Sequence, residues 1–114
     1  MIKLISYGFK YGKPECNFCF DVSYFKNPWR EKELIASGRE KVIAFMHKQP
    51  GFTDIVNSIA NVIMLYHKQW PDENMIFAIC CNAGADRSPI IADEIADVLK
   101  KNRIPCAIEH KFLR

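Results

Sequence analysis

Cys81, Gly84, Arg87 and Ser88 fall in the stretch Cys-Asn-Ala-Gly-Ala-Asp-Arg-Ser, and this C-x-x-G-x-x-R-S spacing is suited to two kinds of chemistry. One is holding an oxyanion. Arg87 carries a permanent charge on a fork that matches two phosphate oxygens. Gly84 permits a backbone conformation that a Cβ would penalise, so the loop can curl and aim several N–H groups at one point. Ser88 can hydrogen-bond the anion or the cysteine sulfur. Residues Cys81, Asn82, Ala83, Gly84, Ala85, Asp86, Arg87 and Ser88 are therefore the candidate binding loop. The other chemistry is nucleophilic: the same positive field favours a thiolate at Cys81. A third reading is inert, with a helix cap, a buried arginine ion pair and an unreactive thiol.

A thiolate that attacks a phosphoryl group also needs a general acid for the leaving group. Asp21 is the candidate, with orientation of Arg87 through a salt bridge as its competing role. Asp86 lies inside the loop, where a carboxylate repels an anion unless it is protonated or turned outward.

The elements that position these residues follow from the pattern around them. "IKLISYGF" and "CNFCFDVSYF" have the character of strands, closed by "KYGKP" and "KNP". "EKELIASGREKVIAFMHKQ" is helical but broken around Ser37-Gly38. "TDIVNSIANVIMLYHKQW" is a cleaner helix, with Ile55, Ile59, Val62, Ile63 and Tyr66 at helical spacing behind a Thr53 or Asp54 cap. The continuously apolar "NMIFAIC" predicts a strand covered on both faces. "SPIIADEIADVLKKN" is an amphipathic helix that tolerates Pro89 in its first turn, and "PCAIEHKFL" is a closing strand.

Strands alternating with helices predict a single small three-layer α/β domain over residues 1–114. Its sheet is mainly parallel, of about four strands, with helices on both faces. Ligands of such folds gather at the carboxyl ends of the strands. The loop and Asp21 belong at that edge, and so does His110 if its strand is parallel.

Bulk properties narrow the classes further. A chain of 114 residues, 49% hydrophobic and 25% charged, is an ordinary globular domain. No apolar run reaches membrane-spanning length, so no membrane partner is expected, and the first residues do not read as a signal peptide. Five cysteines without a second C-x-x-C predict reduced thiols and a cytoplasmic location, with no metal and no cofactor. The net charge of +3 is mild, but Lys10, Lys13 and Arg30 belong to a basic first third that can meet phosphates, including those of RNA.

Two resemblances follow from these motifs. The loop is similar to the phosphate loop of cysteine-dependent phosphatases, and Trp70-Pro71-Asp72 spells the tripeptide that carries the acid in many of them. Here that tripeptide precedes the strand whose far end bears Cys81, and about seven extended residues separate the two by roughly 20 Å. An ordinary helix-to-strand turn is the better reading. The second resemblance covers nearly the whole chain. "ISYGFKYGKP", "FDVSYFKNP", "CNAGADRS" and "IEHKFL" fall in the order of the landmark segments of the RapZ C-terminal domain.

That resemblance implies a phosphosugar-sensing, RNA-binding adapter domain that forms homo-oligomers. Its ligand pocket would map to Asp21, Asn82, Ala83 and Arg87 beside Ser88, with His110 matching the terminal-motif histidine and Lys10 and Lys13 as RNA contacts. The family's loop histidine is Asp86 here and its loop threonine is Asn82, so the residues on the phosphate side are kept and those on the sugar side differ. Binding of a phosphorylated small molecule or inorganic phosphate is the leading expectation. The alternatives are a cysteine phosphatase using Cys81 and Asp21, and an interaction module.

Overall fold

β1 (Ile2–Gly8) runs through the interior of the sheet, and its neighbours explain how the site is assembled. A computed structural model describes residues 1–113. After β1 come β2 (Phe18–Asp21), α1 (Lys32–Ala36), α2 (Arg39–His47), α3 (Phe52–Gln69), β3 (Met75–Cys81), α4 (Arg87–Lys101) and β4 (Cys106–His110), with short 3-10 turns at Phe9–Tyr11 and Pro28–Arg30. The four strands form one sheet in the order β2-β3-β1-β4, and every pairing is parallel. Gly8 lies beside Cys81, Asp21 beside Cys80, and Ser6 beside His110. All four strands thus end at one edge, and the expected carboxyl-edge placement holds for the loop, Asp21 and His110.

The two sheet faces are covered unequally. Ile2 and Leu4 of β1 and Phe77 and Ile79 of β3 point into one apolar cluster with Met46 of α2, Ile63 of α3 and Ile95 of α4. Partly buried Leu34 and Ile35 of α1 join the same cluster. The opposite face carries a second, smaller cluster of Ile5, Ala78 and Cys80, flanked by Tyr7, Cys16 and Ile76. Among the described residues no helical side chain joins it. The single α/β domain with a four-stranded parallel sheet stands, but the expected third layer does not, because the helices pack on one face. Small side chains at Ala78 and Cys80 explain how β3 is buried there without one: neighbouring side chains and the segment through Cys16 suffice to cover them.

Two local expectations also change. α3 begins at Phe52 behind Gly51, whose φ of 80° lies in the left-handed region, and no side chain caps it. The Pro50-Gly51 turn does the work expected of Thr53 or Asp54. The buried face of α3 is Val56, Ile59, Ala60 and Ile63, while Ile55 is 41% exposed. The break at Ser37-Gly38 is real, since α1 and α2 are separate helices there. Trp70-Pro71-Asp72 is the turn between α3 and β3, at the sheet edge opposite Cys81. No helix is long and apolar enough to cross a membrane among the described residues.

Candidate functional site

The loop from Asn82 to Asp86 leaves β3 and enters α4, and two glycines set its path. Gly84 has φ 71°, and a Cβ there would lie 2.6 Å from the Gly8 nitrogen and 2.7 Å from the Tyr7 carbonyl carbon. A Cβ on Gly8 would lie 2.4 Å from both the carbonyl carbon and oxygen of Ala83. The end of β1 and the loop are therefore backbone against backbone, a proximity that only paired glycines allow. The Lys10 N–H donates to the Asn82 carbonyl at 3.0 Å and fastens the next turn to the same loop.

Cys81 is enclosed beneath this crossing. It is 2% exposed; the Gly84 N–H donates to its sulfur at 3.2 Å, and the thiol donates to Ser88 Oγ at 3.3 Å. Ser88 Oγ in turn donates to the Tyr7 carbonyl at 3.3 Å. Every proton in that chain has an acceptor when Cys81 is a neutral thiol, which ties the loop to β1. Asp21 is not opposite it. Its carboxylate accepts the Ser23 N–H at 2.9 Å and borders a different hollow, with Tyr24, Gln49 and Ile55. The nucleophile and acid of the phosphatase reading are not brought together.

Arg87 takes an unexpected direction. Only 7% exposed, it extends Nη1 to the carbonyls of Ser23, at 2.6 Å, and Phe25, at 3.0 Å. The anticipated ion pair with Asp21 is not formed; Asp86, 4% exposed, instead faces Arg39 at 3.9 Å. Arg87 thus straps the segment after β2 onto the start of α4. A charged donor satisfies two otherwise stranded backbone acceptors in this way.

Two hollows flank this strap. One, of about 370 Å³, is bordered by Cys81, Asn82, Ala83, Ala85 and Asp86 of the loop, with Lys10, Tyr11, Asn27, Trp29 and Phe112 across from them. Tyr11 and Phe112 stack there at 3.8 Å with 15° between their planes. The other, of about 450 Å³, is bordered by Arg87 together with Lys26, Asn27, Arg30 and Glu31. Asn27 borders both. The second hollow gathers three cations against one carboxylate, whereas the first has Lys10 against Asp86. A further hollow, about 470 Å³, lies beside Asp21 and contains no loop residue. Its wall joins the apolar Val22, Phe25, Pro50 and Ile55 to the polar Asp21, Tyr24, Lys26 and Gln49.

His110 sits at the predicted edge but is fully engaged. Its Nδ1 is 2.7 Å from Ser6 Oγ, and its Nε2 is 2.8 Å from Asp93 Oδ1. A carboxylate can only accept, so Nε2 carries the proton toward Asp93, and in the neutral ring Nδ1 accepts from Ser6. The imidazole joins β4, β1 and α4 and borders neither hollow. The three basic candidates divide: Lys10 and Arg30 border the two hollows, while Lys13 borders another on the open sheet face with Lys3 and Lys111. Gly8 carries no sequence signal for its role, while Lys26 belongs to the basic first third and Asn27 to the breaker after β2. Asn27-Pro28 does carry a turn signal, and the Asn27 side chain caps the following turn by accepting the Trp29 N–H at 3.1 Å.

The fold is that of a one-sided parallel α/β domain with a glycine-shaped loop between a central strand and a helix start. The family model for the RapZ C-terminal domain matches residues 1–114, and the chain belongs to that family. A nucleotide-binding protein of Thermosipho africanus is 34% identical over 120 residues, covering all of this chain and 43% of that protein. Similar proteins of the same description occur in Fervidobacterium nodosum, at 32% identity over 97% of this chain and 42% of that protein, and in Shewanella loihica, at 31% over all of this chain and 43% of that protein. The chain thus spans about two-fifths of the length of these relatives.

Proposed function

We propose that the domain binds a phosphorylated small molecule in the paired hollows around Asn27, as a regulatory module and not as a phosphatase. The observation that carries this is the convergence of Lys26, Arg30 and Arg87 beside the loop. Three cations around one space favour a multiply charged anion, and Arg30 and Lys26 can meet it while Arg87 keeps its grip on Ser23 and Phe25 through Nη1. The first-turn N–H groups of α4 add the positive end of the helix dipole only at the loop itself, so the side chains supply the main attraction.

The first hollow, bordered by the loop, then receives the body of the ligand. Its aromatic wall of Tyr11, Trp29 and Phe112 suits the flat face of a sugar or a base, and Lys10 and Asn27 offer polar contacts. Phosphosugars are the first class to test. Nucleoside phosphates are the second, because the relatives described above carry the name nucleotide-binding protein.

Titration calorimetry with inorganic phosphate, a hexose phosphate and a nucleoside monophosphate tests the reading. Binding should weaken at least tenfold in Arg30→Ala and in Lys26→Ala, and should persist in Cys81→Ala. No binding by any of the three ligands, or binding indifferent to both basic substitutions, would overturn it.

A further inference from the structure

Three of the cysteines not used by the candidate site, Cys16, Cys19 and Cys80, lie on the open face of the sheet. Cys19 of β2 and Cys80 of β3 bring their sulfurs to 3.0 Å of one another, although 61 positions separate them in the chain. The strand register explains the meeting: Cys19 is beside Ala78 and Asp21 beside Cys80, so the two cysteines are diagonal neighbours on the same face. Cys81 points the other way, into the helix-side core, and Cys106 packs against that same core. Among the described residues no other pair of sulfurs is within hydrogen-bonding reach.

The two thiols differ in access. Cys19 is exposed, whereas Cys80 is fully buried. Burial, followed by its contact with Cys19, pushes the Cys80 thiol well above its ordinary range. A reagent in solution therefore meets Cys19 first, and Cys80 is reached only through it. A disulfide needs its sulfurs at about 2.05 Å, so closing the bond takes roughly 1 Å of approach.

We propose that Cys19 and Cys80 are a thiol–disulfide couple, a modification site that takes low-molecular-weight disulfides as its oxidant. The thiolate of Cys19 attacks one sulfur of the small disulfide, forming a mixed disulfide and releasing one small thiol. Cys80, deprotonated as it attacks, then displaces the second small thiol from Cys19. The protein loses two hydrogens and the small disulfide gains them. The product bond staples β2 to β3 directly below Asp21, where the segment gripped by Arg87 departs. Val22 already donates its N–H to the Cys80 carbonyl at 2.8 Å, so the covalent link reinforces an existing junction.

Incubating the whole chain with oxidised glutathione and mapping unreduced peptides by mass spectrometry tests this. The expected result is a Cys19–Cys80 cross-link that dithiothreitol removes, with a higher melting temperature before reduction than after. Cys19→Ser, altered at an exposed position, should leave Cys80 unmodified, and Cys16→Ser should still form the link. A Cys16–Cys19 bridge, a stable glutathione adduct on Cys19 alone, or no reaction at all would overturn the proposal.

Discussion

At the scale of single residues, Arg87 holds the segment after β2 to the start of α4 through the Ser23 and Phe25 carbonyls. Its place after the loop, at the start of α4, is legible from spacing alone. Which carbonyls it reaches depends on the path of residues 22–28, and no local pattern encodes that path. Arg87→Met should destabilise the fold by about 1–3 kcal/mol, because the Ser23 and Phe25 carbonyls lose a charged donor in a nearly buried setting. Chemical denaturation of the variant against the parent measures it, and Arg87→Lys should recover only part of the loss, since one ammonium cannot reproduce the fork. Gly84 was legible as a loop glycine, whereas Gly8 was not. Its conformation is ordinary, and its necessity comes from the chain that crosses it. Gly8→Ala should cost about 1–3 kcal/mol in the same measurement, by overpacking against Ala83.

At the level of elements, α4 ends in a way that invites improvement. The Ile104 N–H donates to the Leu99 carbonyl and the Arg103 N–H to the Lys100 carbonyl, which is a Schellman closure with Arg103 at φ 60°. An arginine there bears the strain that glycine avoids. Arg103→Gly should therefore stabilise the domain by about 0.5–1 kcal/mol, read as a raised denaturation midpoint with an unchanged slope. The His110 clamp belongs to the same scale. Removing Asp93 as acceptor by Asp93→Ala should loosen β4 and speed hydrogen exchange of its amides, with β3 unaffected. Element identities and order were largely legible because apolar periodicity changes clearly between strands and helices. The one-sided layering was not. A continuously apolar strand reads as covered by helices on both faces, yet Ala78 and Cys80 are small enough to be buried by lateral neighbours. The α3 face was misjudged for a related reason: Ile55 and Val56 fit the periodicity almost equally, and only the packing direction selects Val56.

For the molecule as a whole, three wholly or partly buried thiols make stability fall at high pH. Burial is the main cause that raises Cys16, Cys80 and Cys106 above their ordinary value of 9.0. In the folded chain they keep their protons to higher pH, while in the unfolded chain they ionise near that value. Their contribution is fully present below pH 9.0 and declines as the pH rises above it, because unfolding then releases protons. Denaturation midpoints under reducing conditions should fall between pH 8 and pH 10, and Cys106→Ala should flatten the decline.

β1 is both the first element and an interior strand, and the Met1 ammonium lies at the opposite edge of the sheet from the loop. It donates to the Glu73 carbonyl at 2.9 Å and to Asn74 Oδ1 at 3.2 Å. Seven residues of β1, about 20 Å at extended spacing, separate that anchor from the Gly8 crossing. A dye, a bead or a surface tether attached ahead of Met1 would therefore stand at the far end of the sheet from the loop, leaving both hollows open to solution.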